Sequence, residues 1–531
     1  MRRLTFLLVL AIFALPAQTY FPDDPLDTEL KPIRVDDAAR RKLSDYYDAV
    51  RHTIDTPGEL NRSLSSPVPA EAVNTQGEPM QGAWWVKRHY YRPMSIEELV
   101  AGPGNKHPPE TKSKWTVVGA KTEGVTPGFV IRDATGELYF IKFDPLTNPE
   151  MATGADHIAV RLVYALGYHV PENYLVEFSA DQLVIGEDVS VADRLGRRRA
   201  MTSRDLSELL QKVPRTRDGC FRATASRAIA GKGTGPYRYY GVRHDDPNDF
   251  VPHEHRRDLR GLAVVAAWIG HDDSRALNTY DAIVEENGER FIKHFILDLG
   301  SALGSGTQKA NSARSGGEYL FGWKDASTQL FTLGLAVPRW SRAYFPELPS
   351  VGRFEYKTFD PENWKPEYPN PAFMNRMPDD AFWAAKQIMA FRDDEIRAIV
   401  KSARYSDRVA EDWIVECLIQ RRDKIGKAFF AKVLPLDQFS VAEGALRFRD
   451  LSNDAGFGGA GPYRVEWLQL DNATGETRSI SGANSFAVPD ADSAYRMARI
   501  SSESRPGQTL DVTLRMEPGE TPAVVGIERR W

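Results

Sequence analysis

The sequence predicts an α+β fold in which a β-rich region, a mostly helical region and a small β-sandwich follow one another. From residue 113, "KWTVVGAKTEGVTPGFVIRDATGELYFIKF" has the short apolar runs and turn residues that are typical of three strands. Helical periodicity dominates 256–269 and 379–433. After residue 436 short alternating segments recur to the end of the chain, and this pattern predicts a separate β-sandwich.

Length and composition favour a globular protein of several domains. The chain has 531 residues, of which 42% are hydrophobic and 27% charged. The formal net charge of -5 provides no overall basic field, so we do not expect a nucleic-acid partner.

The first nineteen residues, "MRRLTFLLVLAIFALPAQT", have the layout of a secretory signal peptide. Two arginines precede an apolar run, and small residues follow it. An uncleaved membrane anchor is the alternative, but the run is short for a span. We therefore expect 1–19 to be removed and the mature protein to be exported, periplasmic or secreted, with no stable membrane span.

The stretch 20–112 predicts an irregular N-terminal extension that packs on the domain after it. It contains one predicted helix, 35–54, with Asp36 and Asp37 in its first turn. Cys220 and Cys417 are the only cysteines, and they form either one disulfide or two separate thiols.

Three segments carry the functional argument. In "GELYFIKF", strand alternation places Lys142 on the same face as Leu138 and Phe140. Burying a lysine among apolar residues is costly unless an anion contacts its ammonium group or that group reaches water. The second segment is "GHDDSRALN", in which Asn278 stands five residues after Asp273.

The third segment follows that loop after a predicted hairpin. "TYDAIVEENGERFIKHFIL" reads as strand, turn and strand, with "ENGE" as the turn. A hairpin returns the chain to its starting point, so we expect Asp298, in "DLG", to lie close to Asn278.

This order of segments resembles the protein-kinase-like superfamily. "HDDSRALN" is similar to the H-x-D-x-x-x-x-N catalytic loop and "DLG" to the D-F-G metal-binding motif. The nearest analogues are the atypical branches: the HipA toxin kinases, the secreted Fam20 kinases and the phosphoinositide kinases. The resemblance covers about 113–433. It implies a bilobal domain with a β-rich N-lobe at 113–190 and a mostly helical C-lobe at 191–435, ahead of the β-sandwich domain at 436–531.

The resemblance also implies roles for single residues. Lys142 would hold the nucleotide phosphates, and Asp273 would accept or orient the acceptor hydroxyl, with His271 in the same catalytic loop. Asn278 and Asp298 would hold Mg²⁺ or Mn²⁺ against the phosphates of ATP or another nucleotide.

Two further parts of the kinase pattern match less closely. Gly119, Gly124 and Gly128 would cover the phosphates, although their spacing departs from G-x-G-x-x-G. The helix acid that pairs with the strand lysine would be Asp156, in register with the predicted helix, or Glu150 before it.

The function implied is an exported, metal-dependent phosphotransferase that moves a nucleotide γ-phosphate to a hydroxyl of a protein, glycan or small molecule. The first alternative is a pseudokinase-like nucleotide-binding or scaffold protein whose C-terminal β domain binds a partner. The second is transfer of AMP on the same fold.

Overall fold

The computed structural model describes residues 19–55, 68–120, 128–192, 197–306, 308–333 and 335–531. The fold is a mixed α+β arrangement with several sheets. The chain divides into two compact units. One comprises Asp27–Val73 and Pro79–Lys432, and the other Val433–Trp531 with Asn74–Glu78 and the described part of Met1–Leu26. The predicted extension 20–112 is therefore shared between the two units.

The helices and strands are numbered in chain order. The helices are α1 (Asp45–Asp55), α2 (Ile96–Ala101), α3 (Met151–Ala165), α4 (Ser203–Leu210), α5 (Arg257–Ile269), α6 (Trp323–Phe331), α7 (Pro371–Met374), α8 (Pro378–Ile388), α9 (Asp393–Lys401), α10 (Arg408–Phe430) and α11 (Leu451–Asp454). The strands are β1 (Trp115–Ala120), β2 (Gly128–Arg132), β3 (Leu138–Phe143), β4 (Asn173–Phe178), β5 (Leu183–Ile185), β6 (Ser190–Ala192), β7 (Arg198–Ala200), β8 (Phe221–Arg227), β9 (Lys232–Gly235), β10 (Thr279–Glu286), β11 (Glu289–Ile296), β12 (Leu436–Ala442), β13 (Ala445–Asp450), β14 (Tyr463–Leu470), β15 (Thr477–Ser479), β16 (Tyr495–Ser502), β17 (Thr509–Arg515) and β18 (Ala523–Arg530).

The first large sheet contains the three strands expected after residue 113. Its order is β4-β8-β3-β2-β1-β5, and its pairs are antiparallel except for the parallel β1–β5 pair. Trp115, Phe129, Tyr139 and Phe178 are buried on one face, together with leucines of α4. β3, which carries Lys142, is thus held between β2 and β8, and apolar packing fixes its orientation.

Two helices are buried along their length. In α3 apolar residues are buried between Met151 and Ala165, and in α5 every residue from Arg257 to Ile269 is buried. The start of α5 is held by ion pairs of Arg257 with Asp379 and Asp380. The "LAVVAAWI" run therefore belongs to a core helix whose first turn is held by these ion pairs.

The predicted helix over 35–54 is wrong in its first half. Only α1, Asp45–Asp55, is helical. The main-chain N–H of Val35 donates to a carbonyl of β11 and that of Arg41 to a carbonyl of β9, and Val35 packs against Ile283 and Ile292. Pairing with the sheet β11-β10-β9 and this apolar contact outweigh the local helical pattern.

The unit that contains Val433–Trp531 is built on β structure. A five-stranded antiparallel sheet has the order β15-β14-β16-β17-β18, and β12 and β13 form a separate hairpin. Leu436 and Leu446 of the hairpin share an apolar core with Trp467, Ile500 and Val512 of the sheet. The structure thus has a sheet and a hairpin where the sequence pattern predicts a β-sandwich.

Two other expectations concern the membrane and the cysteines. Within the described residues, no helix has both the length and the apolar character that crossing a membrane requires. The predicted signal segment lies almost wholly outside those residues. Cys220 and Cys417 are two separate thiols, the second of them buried.

Candidate active site

The charged loop begins where α5 ends at a glycine. Gly270 has φ 64°, in the left-handed region that favours glycine. A Cβ there would lie 3.2 Å from Phe354 and 3.1 Å from Arg421, so close packing also favours a residue without a side chain. The turn directs the following residues out of the buried helix.

Hydrogen bonds within and around the loop fix its shape. The Ser274 hydroxyl donates to the His271 carbonyl at 2.7 Å, and the side-chain amide of Asn370 donates to the Ser274 carbonyl at 3.1 Å. Asp272 is buried and accepts hydrogen bonds from Asn311, at 3.0 Å, and from Ser315. Asp272 therefore supports the loop, whereas Asp273 is the acid that lies beside Asn278.

The hairpin brings Asn278 and Asp298 to neighbouring positions. β10 and β11 pair antiparallel from Thr279 with Ile296, and the Leu297 N–H donates to the Asn278 carbonyl at 2.8 Å. Asp298 comes next and has φ 47°, a left-handed conformation that is uncommon outside glycine. The side-chain amide of Asn278 donates to the Asp273 carbonyl at 2.7 Å.

Lys142 reaches across from the sheet to this group. Its Nζ lies 2.8 Å from Oδ1 of Asp298, and 25% of the lysine side chain is exposed. Burial lowers the pKa of Lys142, but the charges of Asp298 and Asp156 outweigh it, so the pKa is raised overall. The lysine is therefore a fixed positive charge beside Asp298.

The two candidate helix acids lie in different places. Asp156 of α3 is buried at 3% exposure and accepts a hydrogen bond from Asn173 at 2.8 Å. Burial raises the pKa of Asp156, and Lys142 opposes the rise, so the two charges interact. Glu150 instead accepts from the N–H of Ser406 at 2.8 Å.

The pairing expected between Lys142 and a helix acid is therefore only partly present. Asp156 is the acid that acts on the lysine, but the ion-pair partner of Lys142 is Asp298. An aspartate side chain on the helix is shorter than a glutamate, and it contributes its charge without a direct ion pair.

Sequence reasoning missed the arginine that lies beside Asp273. Arg275 contacts the Asp273 carboxylate and forms ion pairs with Asp45 of α1, at 2.6 Å, and with Glu367, at 3.4 Å. Burial raises the pKa of Asp273 to about 7, although Arg275 opposes the rise. Its position in the charged loop is a sequence signal that could have identified Arg275. Asp45 and Glu367, however, are too far away in the chain to be recognised as its partners from the sequence.

His271 lies behind the loop. It is buried, and its Nδ1 is 2.9 Å from the Ser301 hydroxyl, which connects the loop to the "DLGS" segment. Burial lowers the pKa of His271 to about 4, so the ring is neutral at pH 7. These contacts hold His271 between the loop and that segment, and its catalytic role stays a prediction of the resemblance.

The three glycines give little evidence of a phosphate-covering loop. Gly119 lies in β1 at a register shift, and a Cβ there would meet only Val130, at the ordinary distance of 3.7 Å. Gly128 begins β2 and pairs with Lys142. Gly124 lies outside the described residues.

Oxygen atoms suited to a hard cation are present beside the lysine. The amide nitrogen of Asn278 is engaged by the Asp273 carbonyl, which leaves Oδ1 as the atom to face a cation, and Asp298 supplies a carboxylate. No group of three or more His, Cys, Asp or Glu side chains that could hold a metal occurs in the described part of the chain. Asn278 and Asp298 would be the residues to hold a hard cation such as Mg²⁺ or Mn²⁺.

Comparisons with known proteins find a likeness among solved structures. No protein-family model matches the chain, and no curated protein matches it. Among solved structures, it is similar to the Helicobacter pylori proinflammatory kinase CtkA, with 12% sequence identity and a TM-score of 0.33. The likeness covers 61% of this chain and 96% of that one. A TM-score this low does not by itself define a shared fold.

Proposed function

We propose that this chain is an exported, metal-dependent phosphotransferase that moves the γ-phosphoryl group of ATP, or of another nucleotide, to an acceptor hydroxyl. The observation that carries the proposal is the 2.8 Å contact between Lys142 and Asp298, which joins the strand segment to the "DLG" segment beside Asp273 and Asn278. These residues are far apart in sequence, and they have the chemistry that phosphoryl transfer needs.

The reaction requires mainly positioning and charge neutralisation. In the proposed step the acceptor oxygen bonds to the γ-phosphorus, and the bond from that phosphorus to the β,γ-bridging oxygen breaks. The hydroxyl proton goes to the Asp273 carboxylate, and the nucleoside diphosphate leaves. Lys142 neutralises charge on the phosphates and holds them against the sheet.

The metal would be held by Asn278 and Asp298. A bound Mg²⁺ or Mn²⁺ supplies positive charge where negative charge accumulates on the phosphates. Binding of nucleotide and metal would replace the direct contact of Lys142 with Asp298, so that the lysine turns to phosphate and the carboxylate to the cation.

The first experiment is thermal unfolding with ATP and Mg²⁺ or Mn²⁺, because it needs no knowledge of the acceptor. We expect ATP with metal to raise the Tm of the parent protein and to leave Asp298→Ala unaffected. Asp218→Ala, which removes an exposed acid, is the matched control and should keep the rise in Tm. No shift in the parent protein would reject nucleotide binding.

Labelled ATP then separates the proposed reaction from its alternatives. γ-Label on an acceptor, with ADP formed, supports the proposal. Label from the α-phosphate on an acceptor would replace it with AMP transfer. Binding with no transfer of either label would replace it with a pseudokinase-like binding role, a role that the contact of Arg275 with Asp273 would favour.

A further inference from the structure

A buried arginine, Arg421, lies away from the site described above. Arg421 of α10 is 6% exposed. Among the described residues, neither its Nε nor its Nη1 has a hydrogen-bond partner. The ion pairs of the described part of the chain do not include it either. Burial lowers the pKa of Arg421 to about 10, yet an arginine remains charged at pH 7.

Aromatic rings hold this guanidinium in place. Its central carbon lies 4.3 Å from the ring centre of Phe354 and 3.9 Å from that of Phe359. The carbonyls of these phenylalanines accept hydrogen bonds from Trp413, at 2.9 Å, and Lys424, at 3.3 Å, both on α10. Stacking fixes the plane of the guanidinium but leaves Nε and Nη1 without a hydrogen-bond partner among the described residues.

Arg421 lines an open cleft with a volume of about 230 Å³. The cleft is bounded by 313–318, 338–345 and 353–364, all from the segment between β11 and α7. Its walls include the indoles of Trp340 and Trp364 and the basic side chains of Arg339 and Arg353. It therefore combines apolar surface with positive charge around a buried guanidinium.

The acidic residues of the cleft already have other partners. Glu355 accepts from the N–H of Thr358, at 2.9 Å, and from its hydroxyl, at 2.6 Å. Glu318 accepts from the indole of Trp340 at 2.6 Å, and Asp360 forms an ion pair with Arg339 at 2.7 Å. The charge of Glu355 opposes the lowering of the Arg421 pKa, but among the described residues none of these carboxylates forms an ion pair with Arg421.

We propose that the cleft binds a small ligand whose oxyanion, a phosphoryl or carboxylate group, takes the open N–H donors of Arg421, and whose aromatic or apolar part lies against Trp340 and Trp364. A buried charge without a partner is costly, and an oxyanion matches the planar fork of a guanidinium. This site is separate from the Lys142 cleft and does not depend on the proposed phosphotransfer.

The cleft also touches the charged loop. Ser315, in its wall, is the residue that donates to Asp272, and Nη1 of Arg421 lies 3.1 Å from the position of a Cβ on Gly270. A ligand on Arg421 therefore binds next to the residues that shape the loop of Asp273.

The probes are phenyl phosphate, benzoate and inorganic phosphate, compared with sodium chloride at equal ionic strength. Tryptophan fluorescence reports on Trp340 and Trp364, and Tm provides a second measurement. Phenyl phosphate and benzoate distinguish the two oxyanions, and inorganic phosphate tests the need for an aromatic part. We expect at least one probe to bind the parent protein saturably.

Variants assign that binding to the cleft. Arg421→Met should weaken it at least about tenfold, because hydrogen bonds to a charged group are lost. Arg408→Met, which removes an exposed arginine from the same helix, and Lys142→Met, which removes the phosphate contact of the proposed active site, should both bind like the parent.

Three results would overturn the proposal. The first is equal binding by Arg421→Met and the parent protein, and the second is no saturable binding of any probe. If circular dichroism shows that Arg421→Met does not fold, Arg421→Gln is subject to the same expectation. Loss of binding in Lys142→Met would move the oxyanion to the nucleotide cleft and would also reject a site at Arg421.

Discussion

The proposed active site and the Arg421 cleft differ in how their charges are paired. At the proposed active site each basic group meets an acid: Lys142 contacts Asp298, and Arg275 contacts Asp273. In the Arg421 cleft the acids bond to other groups, and Arg421 is held between two aromatic rings, with its Nε and Nη1 unpaired among the described residues.

The difference shows what each site requires from a ligand. At the proposed active site, ion pairs keep the charged side chains in place in the absence of ligand. A nucleotide with its metal would replace these ion pairs by contacts with phosphate and cation. In the Arg421 cleft, Nε and Nη1 of a buried guanidinium have no hydrogen-bond partner among the described residues, and an anion from outside would supply one. We therefore expect loss of a basic group at the proposed active site to lower activity or stability. Loss of Arg421 should lower ligand binding without lowering stability.

The largest functional effect is expected for Lys142→Met. It removes the charge that faces the phosphates, so we expect ADP formation to fall at least about a hundredfold. Lys232→Met is the matched control, because Lys232 is also a strand lysine that contacts an aspartate, Asp37, but on the exposed surface. ADP formation by Lys142→Met at the rate of this control would contradict the role of the lysine.

Asp273→Asn should separate binding from chemistry. The amide cannot accept the hydroxyl proton, so ADP formation should fall about a hundredfold or more. The affinity for ATP with metal should change little, because Asp273 contacts neither phosphate nor cation in the proposed arrangement. Isothermal titration and ADP formation are measured on the same preparation, with Asp218→Asn alongside. A parallel loss of affinity would show that Asp273 acts in binding.

Arg275→Met tests whether Arg275 acts on the pKa of Asp273 at the proposed active site. Burial raises the pKa of Asp273 to about 7, and the carboxylate form is the proton acceptor, so the rate of ADP formation by the parent should rise with pH through about 7. Arg275 lowers the pKa of Asp273, so its removal should move this rise to higher pH. An unchanged pH profile would show that Arg275 does not act on that carboxyl.

The same variant and Arg421→Met should differ in stability. Arg275→Met leaves the carboxyls of Asp45 and Glu367 without this cation, and we expect a loss of about 2–3 kcal/mol, since the group is partly exposed. Arg421→Met replaces a buried charge without a counter-ion by an apolar side chain, and without oxyanion it should leave the free energy of unfolding unchanged or raise it. Urea unfolding in chloride measures both. A larger loss for Arg421→Met would reverse the comparison.

The elements that carry the proposed active site could be predicted from the sequence. Strand alternation around Lys142, the apolar helix before the loop and the hairpin that ends at Asp298 depend on near neighbours, and the structure has each of them. The helix predicted over 35–54 is wrong in its first half, because Val35 packs against strands far along the chain.

Contacts between distant residues could not be predicted. Asp45 meets Arg275, and Arg421 stacks on Phe354 and Phe359, only after the whole unit has folded. No periodicity or motif marks such pairs, and the sequence of α10 does not show that Arg421 faces a cleft.

Electron paramagnetic resonance of Mn²⁺ tests the central claim most directly. The account predicts that ATP creates a Mn²⁺ site on the parent protein and on Asp218→Ala, and that the site is absent in Asp298→Ala. The account would be contradicted if the parent protein bound no Mn²⁺ with ATP, or if Asp298→Ala bound it equally well.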